Sequence, residues 1–203
     1  VKPNEVFDLL DWKRRIFDLY ARIRAADEPH RAWEMWRAER NEMFKAHPQS
    51  PIPEQERAAF RELPFFDYDP AARVLAEVVE AEPMRYDIPT SGDETMAFSR
   101  FGIARFELHG TTLELETYWL ATYGGGIFVP FRDGTSGKTT YGAGRYLLDT
   151  VKGSDQGMDG DRLVLDFNFA CNPSCAYDPR WVCPLAPPPN RLATAVEAGE
   201  RYP

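Results

Sequence analysis

No apolar run in this 203-residue sequence approaches the ~20 residues that a bilayer-crossing helix requires. Cysteine is scarce. Three residues are an odd number, which excludes a complete intrachain disulfide framework and leaves room for one pair plus one free thiol. Histidine is as rare, with His30, His47 and His109 far upstream of the cysteines. Positive charge is also short: 24 Lys and Arg face 32 Asp and Glu, a formal net charge of -8. Such a chain repels phosphate backbones and anionic lipid, so neither nucleic acid nor a membrane surface is an expected partner. The opening Val1-Lys2-Pro3-Asn4 has neither an initiator Met nor the apolar core of a signal peptide. Unless a leader has been removed, the expected location is cytoplasmic.

What the sequence does hold is material for a core. It is 43% hydrophobic, with 13 Phe, 9 Tyr and 5 Trp, which argues against intrinsic disorder. The length suits one domain, or one domain with a helical appendage. Residues 1–62 balance their charges, so the whole excess of acid lies in the remainder. Arg outnumbers Lys 19 to 5. Arg bonds carboxylates with a planar fork, although a GC-rich genome produces the same bias.

Helical periodicity comes first. Val6, Leu9, Leu10, Lys13, Ile16, Phe17, Tyr20 and Ile23 predict an amphipathic helix over about residues 4–26. Asp27-Glu28-Pro29 restarts the chain, and Trp33, Trp36, Met43 and Phe44 share the stripe of a second helix ending before His47-Pro48. Two readings of that stripe are packing on a sheet and a homodimer interface. Glu54 to about Leu63 reads as a third helix, stopped by Pro64.

From about Arg73 the period changes to two, as in Val74, Ala76 and Val78 and again in Met84, Tyr86 and Ile88. Phe106 and Leu108 face Leu113 and Leu115 across His109-Gly110-Thr111-Thr112, a β-hairpin. Ile127–Phe131, Arg145–Thr150 and Leu163–Phe169 are further strands, and the tail from Pro184 reads as an ordered, extended wrap. The expected fold is α+β: N-terminal helices (1–64) packed on an antiparallel β-sandwich or open β-barrel (65–203), forming one unit.

Several motifs fail on inspection. Ser136-Gly137-Lys138-Thr139 lacks the upstream Gly of a phosphate loop, since Arg132 stands there. Gly142-Ala143-Gly144 ends on Leu147 where a dinucleotide fingerprint needs Gly. Cys171, Cys175 and Cys183 lack a nearby fourth zinc ligand, so neither metal nor cofactor is implied. A Cys175–Cys183 disulfide or close thiol pair and inert buried thiols both remain open.

Asp133, Tyr141, Arg145, Asp166, Asn168, Asn172 and Tyr177 are the candidate site residues. Alternation in 163–169 sends Asp166 and Asn168 to the face opposite Leu163, Leu165, Phe167 and Phe169. If strands 145–150 and 163–169 are neighbours, Arg145 sits across from Asp166 or Asn168. That pair either anchors a small polar or anionic molecule or braces the sheet. A small-molecule-binding β domain is the leading expectation. A hydrolase or isomerase with Asp166 as general base, and Arg145 or Tyr141 stabilising negative charge, is the alternative. A structural or interaction protein is the third.

The chain also resembles the bacterial and archaeal family known as domain of unknown function 1684. Phe131-Arg132-Asp133-Gly134-Thr135-Ser136-Gly137, Thr140 to Leu147 (TYGAGRYL), Leu165-Asp166-Phe167-Asn168, Asn172 to Tyr177 (NPSCAY), Cys183-Pro184-Leu185 and Ala198-Gly199-Glu200 carry the likeness. Trp36 to Phe44, with Ser50-Pro51, is similar to its N-terminal pattern. Two departures stand out: Cys171 occupies a position usually held by Tyr, and Ala186 interrupts the usual proline run. The resemblance implies no reaction.

Overall fold

A computed structural model describes residues 2–120 and 124–202. The first helix, α1 (Pro3–Arg24), starts with Pro at N1, where a missing N–H costs nothing, and Glu5 accepts from the Lys2 N–H at 3.1 Å. It buries Ile16, Leu19 and Tyr20, whereas Val6, Phe7, Leu9, Leu10 and Phe17 stay exposed. α2 (Pro29–Ala46) buries Ala32, Trp33, Trp36, Met43 and Phe44 at helical spacing. Trp36 packs on Phe65 and Phe169 with ring centroids 5.4 and 5.1 Å away. The Trp stripe is therefore buried within the chain. The third helix is shorter than predicted: α3 spans Glu54–Arg57. Beyond it the chain bends back onto α2, where Leu63 donates its N–H to Asn41 Oδ1 at 2.8 Å and is buried with Phe44 and Ile52. Burial of that leucine replaces two further helical turns.

Among the described residues seven strands follow: β1 (Arg73–Pro89), β2 (Thr95–Leu108), β3 (Thr111–Leu120), β4 (Ile127–Phe131), β5 (Arg145–Asp149), β6 (Met158–Asp159) and β7 (Arg162–Asp166). They form one antiparallel sheet in the order β5-β4-β3-β2-β1-β7-β6. The β2–β3 turn is only His109-Gly110, both at positive φ (50° and 75°), which matches the twist of a two-residue hairpin.

The α+β order of N-terminal helices and antiparallel strands is as expected, and the sandwich or open barrel is corrected to one open sheet. The cause is the length of β1: its first residues pair with β7 and the rest with β2, which joins all the strands in a single ladder. The sheet curls until β5 approaches β7, but among the described residues no ladder closes the gap. One side chain spans it. Gln156 Nε2 donates to Leu147 O (3.4 Å) and Asp166 O (3.2 Å), while its Oε1 accepts from the Asp166 N–H.

Inside the curl lie Val74, Ala76, Phe106, Leu115, Val129, Phe131, Leu147, Leu165 and Phe167. The tail runs against this core as an extended wrap. Arg132 and Asn190–Leu192 exchange backbone bonds at 2.8 Å, and Leu192, Val196 and Ala198 enter the core.

Candidate functional site

The seven predicted residues fold into several separate clusters. Arg145 and Asp133 form the first, 1% and 3% exposed. Arg145 Nη2 donates to Asp133 Oδ2 (3.1 Å) and Val196 O (3.0 Å), and Nη1 bonds the carbonyls of Ala198 and Glu200. Asp133 Oδ2 also accepts from the Val196 N–H, while Oδ1 takes Thr135 and Ser136. This pair ties the tail to the turn after β4, and both Nη atoms and both carboxylate oxygens are engaged in that task.

Asn172 belongs to a second cluster. Its N–H donates to Glu200 Oε2 (2.9 Å), which also receives Arg40 Nη2 (3.0 Å) from α2. Tyr177 packs edge-on against Phe44, 5.3 Å between centroids. Tyr141 lies elsewhere again, tilted against Tyr202 with its hydroxyl 3.9 Å from Cys175 Sγ.

Asp166 and Asn168 remain together, though not as strand neighbours. β7 ends at Asp166, and Phe167–Phe169 form a 3₁₀ turn. Asp166 Oδ1 causes the break by accepting the Asn168 N–H (3.0 Å) and Nδ2 (2.8 Å), a local alternative to the ladder. Asn168 then bonds Asp69 through both ends of its amide, and its carbonyl receives Trp33 Nε1 at 3.0 Å. Asn168 thus knots the helices to the sheet.

The expected pairing of Arg145 with Asp166 or Asn168 does not occur, because β5 pairs with β4 while β7 pairs with β1. The guanidinium opposite Asp166 is that of Arg73, its register partner on β1. Val74 and Leu165 turn into the core, so Arg73 and Asp166 share the other face, toward the helices. There they line a cleft of about 220 Å³ with Ile23, Ala32, Gln156, Val164 and Phe169. Arg24 of α1 and Asp159 of β6, both exposed, complete its rim.

Asp166 is 2% exposed, yet among the described residues only its Oδ1 is hydrogen-bonded. Burial pushes its carboxyl up to about 6, against the opposing pull of the Asn168 bonds and of Arg73. No salt bridge joins Arg73 to Asp166 among the described residues. An acceptor oxygen and a guanidinium therefore face one small space without meeting. Arg73 is missing from the sequence candidates because its pairing with β7 is long-range, and Gln156 because a glutamine in a Gly/Asp-rich loop carries no periodic signal.

The profile of a family described as "Protein of unknown function (DUF1684)" matches residues 58–201. The chain belongs to the DUF1684 family. A solved relative agrees in fold: the solution NMR structure of an uncharacterised protein from Haloarcula marismortui is 40% identical. The match covers 87% of this chain and 97% of that one, with a TM-score of 0.62. No curated protein matches. In this DUF1684 chain the matched span contains Arg73, Gln156 and Asp166 but not the α1 and α2 walls of the cleft. No helix among the described residues is long and apolar enough to cross a membrane.

Proposed function

We propose that this protein binds a small polar molecule in the cleft between the α1–α2 layer and the β1–β7 edge. Arg73 replaces Arg145 as the group that orients an anionic or carbonyl function, and Asp166 accepts a hydrogen bond from the same ligand. The observation that carries this reading is the unpartnered Oδ2 of a buried carboxyl lining the cleft. That oxygen opens on the cleft instead of being sealed in the core, and free bonding capacity at a concave site is what ligands occupy. The volume is below the roughly 300–1,000 Å³ of drug-sized pockets, so the occupant is small.

The experiment is saturation-transfer NMR with α-amino acids and short hydroxy acids, which carry a carboxylate for Arg73 and a donor for Asp166. Binding is expected for the intact protein and lost in Arg73→Met and Asp166→Asn. If both variants bind the panel as the intact protein does, the cleft is not the site.

A second reading, hydrolase or isomerase chemistry with Asp166 as general base, is favoured by one observation. A carboxyl held near 6 exchanges protons close to neutral pH, where general bases work best. Its signature is an acid limb near 6 in the pH–rate profile that disappears in Asp166→Asn.

A further inference from the structure

The outer side of α1 carries a second apolar stripe, which packing within the chain leaves uncovered. Ile16, Leu19 and Tyr20 turn inward, whereas Phe7, Leu10 and Phe17 are 66%, 41% and 46% exposed. At about 100° per residue, Pro3, Phe7, Leu10, Arg14, Phe17 and Ala21 fall along one line, away from the buried side. Their alternating steps of four and three are the heptad spacing of a helix that packs on another helix. The series of steps is the same read from either end. The stripe therefore fits its own copy turned end for end.

Charge follows the same symmetry. Up to Trp12 the helix carries the acids Glu5, Asp8 and Asp11 and no base; from Lys13 to Arg24 it carries five bases and one acid, Asp18. The helix dipole favours such a split only in the first and last turns. Asp11, Lys13, Arg14 and Arg15 stand in the middle, where the dipole gives no reason for it. The helix as a whole is close to neutral, with five bases and four acids, in a chain of net charge -8. Two copies meeting here do not press their acidic portions together.

We propose that α1 is the contact of a two-fold homodimer, paired antiparallel with α1 of a second copy about Trp12. This register sets Phe7 over the second copy's Phe17 and lays Leu10 along the aliphatic stem of its Arg14. The guanidinium of that Arg14 then reaches Asp11 of the facing helix. Asp11 uses Oδ2 for both Arg15 (2.8 Å) and His47 (3.1 Å) of its own chain, which leaves Oδ1 to accept from the second copy. A two-fold axis makes every one of these contacts occur twice.

The size of the patch sets the strength. Val6, Phe7, Leu10 and Phe17 together expose roughly 400 Å² of apolar surface, large enough to be commonly functional. Two such faces with their charged rims approach about 1,200 Å², the lower end of specific interfaces, so association is expected in the micromolar range.

The test is sedimentation velocity of the intact protein over roughly 1–200 μM, where a concentration-dependent shift from monomer to dimer is expected. Phe7→Glu and Leu10→Glu alter exposed side chains, so each should keep the parent's circular dichroism while weakening association at least ~100-fold. Arg14→Glu sets a carboxylate against Asp11 of the facing helix and should weaken it about 10-fold or more. The unmodified protein gives a check independent of any variant. Lys13 lies one residue from the axis, so an amine-reactive crosslinker should join Lys13 of one copy to Lys13 of the other, a link that a monomer cannot form. A protein monomeric at every concentration overturns the proposal and leaves the stripe to a different partner. A dimer that survives both Phe7→Glu and Leu10→Glu, or that yields no Lys13 link, overturns it as well.

Discussion

Replacing Asp166 by Asn should make the protein more stable near neutral pH while emptying the cleft of its acceptor. The unfolded carboxyl titrates at about 3.9 and the folded one at about 6, because desolvation outweighs the Asn168 bonds and Arg73. The folded state therefore holds a proton that the unfolded state releases, and the contribution runs opposite to that of a salt-bridged aspartate. It is fully present below about pH 4, declines as pH rises, and is gone above the folded value. Two units correspond to about 3 kcal/mol, an upper bound for a group that reaches the cleft.

Asn keeps Oδ1 as acceptor for Asn168, removes the charge and sets an NH2 donor in place of Oδ2. The variant should match the parent near pH 4 and exceed it by up to about 3 kcal/mol above pH 6, roughly 6–12 °C in Tm. Thermal and urea melts of both proteins across this range measure it. Glu200 and Asp149 are also raised by burial, and Asp11 is lowered by its bond to His47. All three are present in both proteins and cancel in the difference. A difference flat across this range, or a variant less stable at neutral pH, refutes the assignment of an ionised, poorly solvated Asp166. A gain obtained by removing a charge also argues that the charge serves binding or chemistry.

Arg145→Met strips donors from three carbonyls and from Asp133, and breaking a buried pair on one side costs about 3–5 kcal/mol. Urea unfolding should show that loss while whatever survives folded binds in the cleft as before; an unchanged midpoint would falsify the bracing role. Gln156→Ala leaves Leu147 O and both backbone groups of Asp166 without their partner, a cost of about 2–4 kcal/mol in total. Amide exchange at Asp166 should accelerate with it, and an unaltered rate would show that the curl closes without this side chain.

Local patterns were readable and long-range pairings were not. The hairpin at His109-Gly110, the strand at Ile127–Phe131 and the Trp stripe of α2 depend on neighbours within a few residues, and periodicity found them. The end of β7 was misread because a side chain, Asp166 Oδ1, captures the backbone that alternation alone would continue. Which strand lies beside which depends on the length of β1 and on the curl of the sheet. The sequence expectation set Arg145, close in sequence, across from Asp166, whereas the register sets Arg73 there.

The same residue types serve here in two opposite ways, and an oxygen that opens on a cleft sets Asp166 apart from Asp133, Arg145 and Asn168. Asp133, Arg145 and Asn168 meet protein groups on nearly every side, as does Asn190, whose amide bonds Glu116 and Pro130. Any ligand reaching these would first have to break bonds that hold the tail or the helices in place. Asp166 spends one oxygen on the fold and turns the other toward a cleft beside Arg73. Composition cannot express that distinction, because it arises only once strand register sets Arg73 opposite Asp166 and the wrap of residues 184–202 engages Arg145.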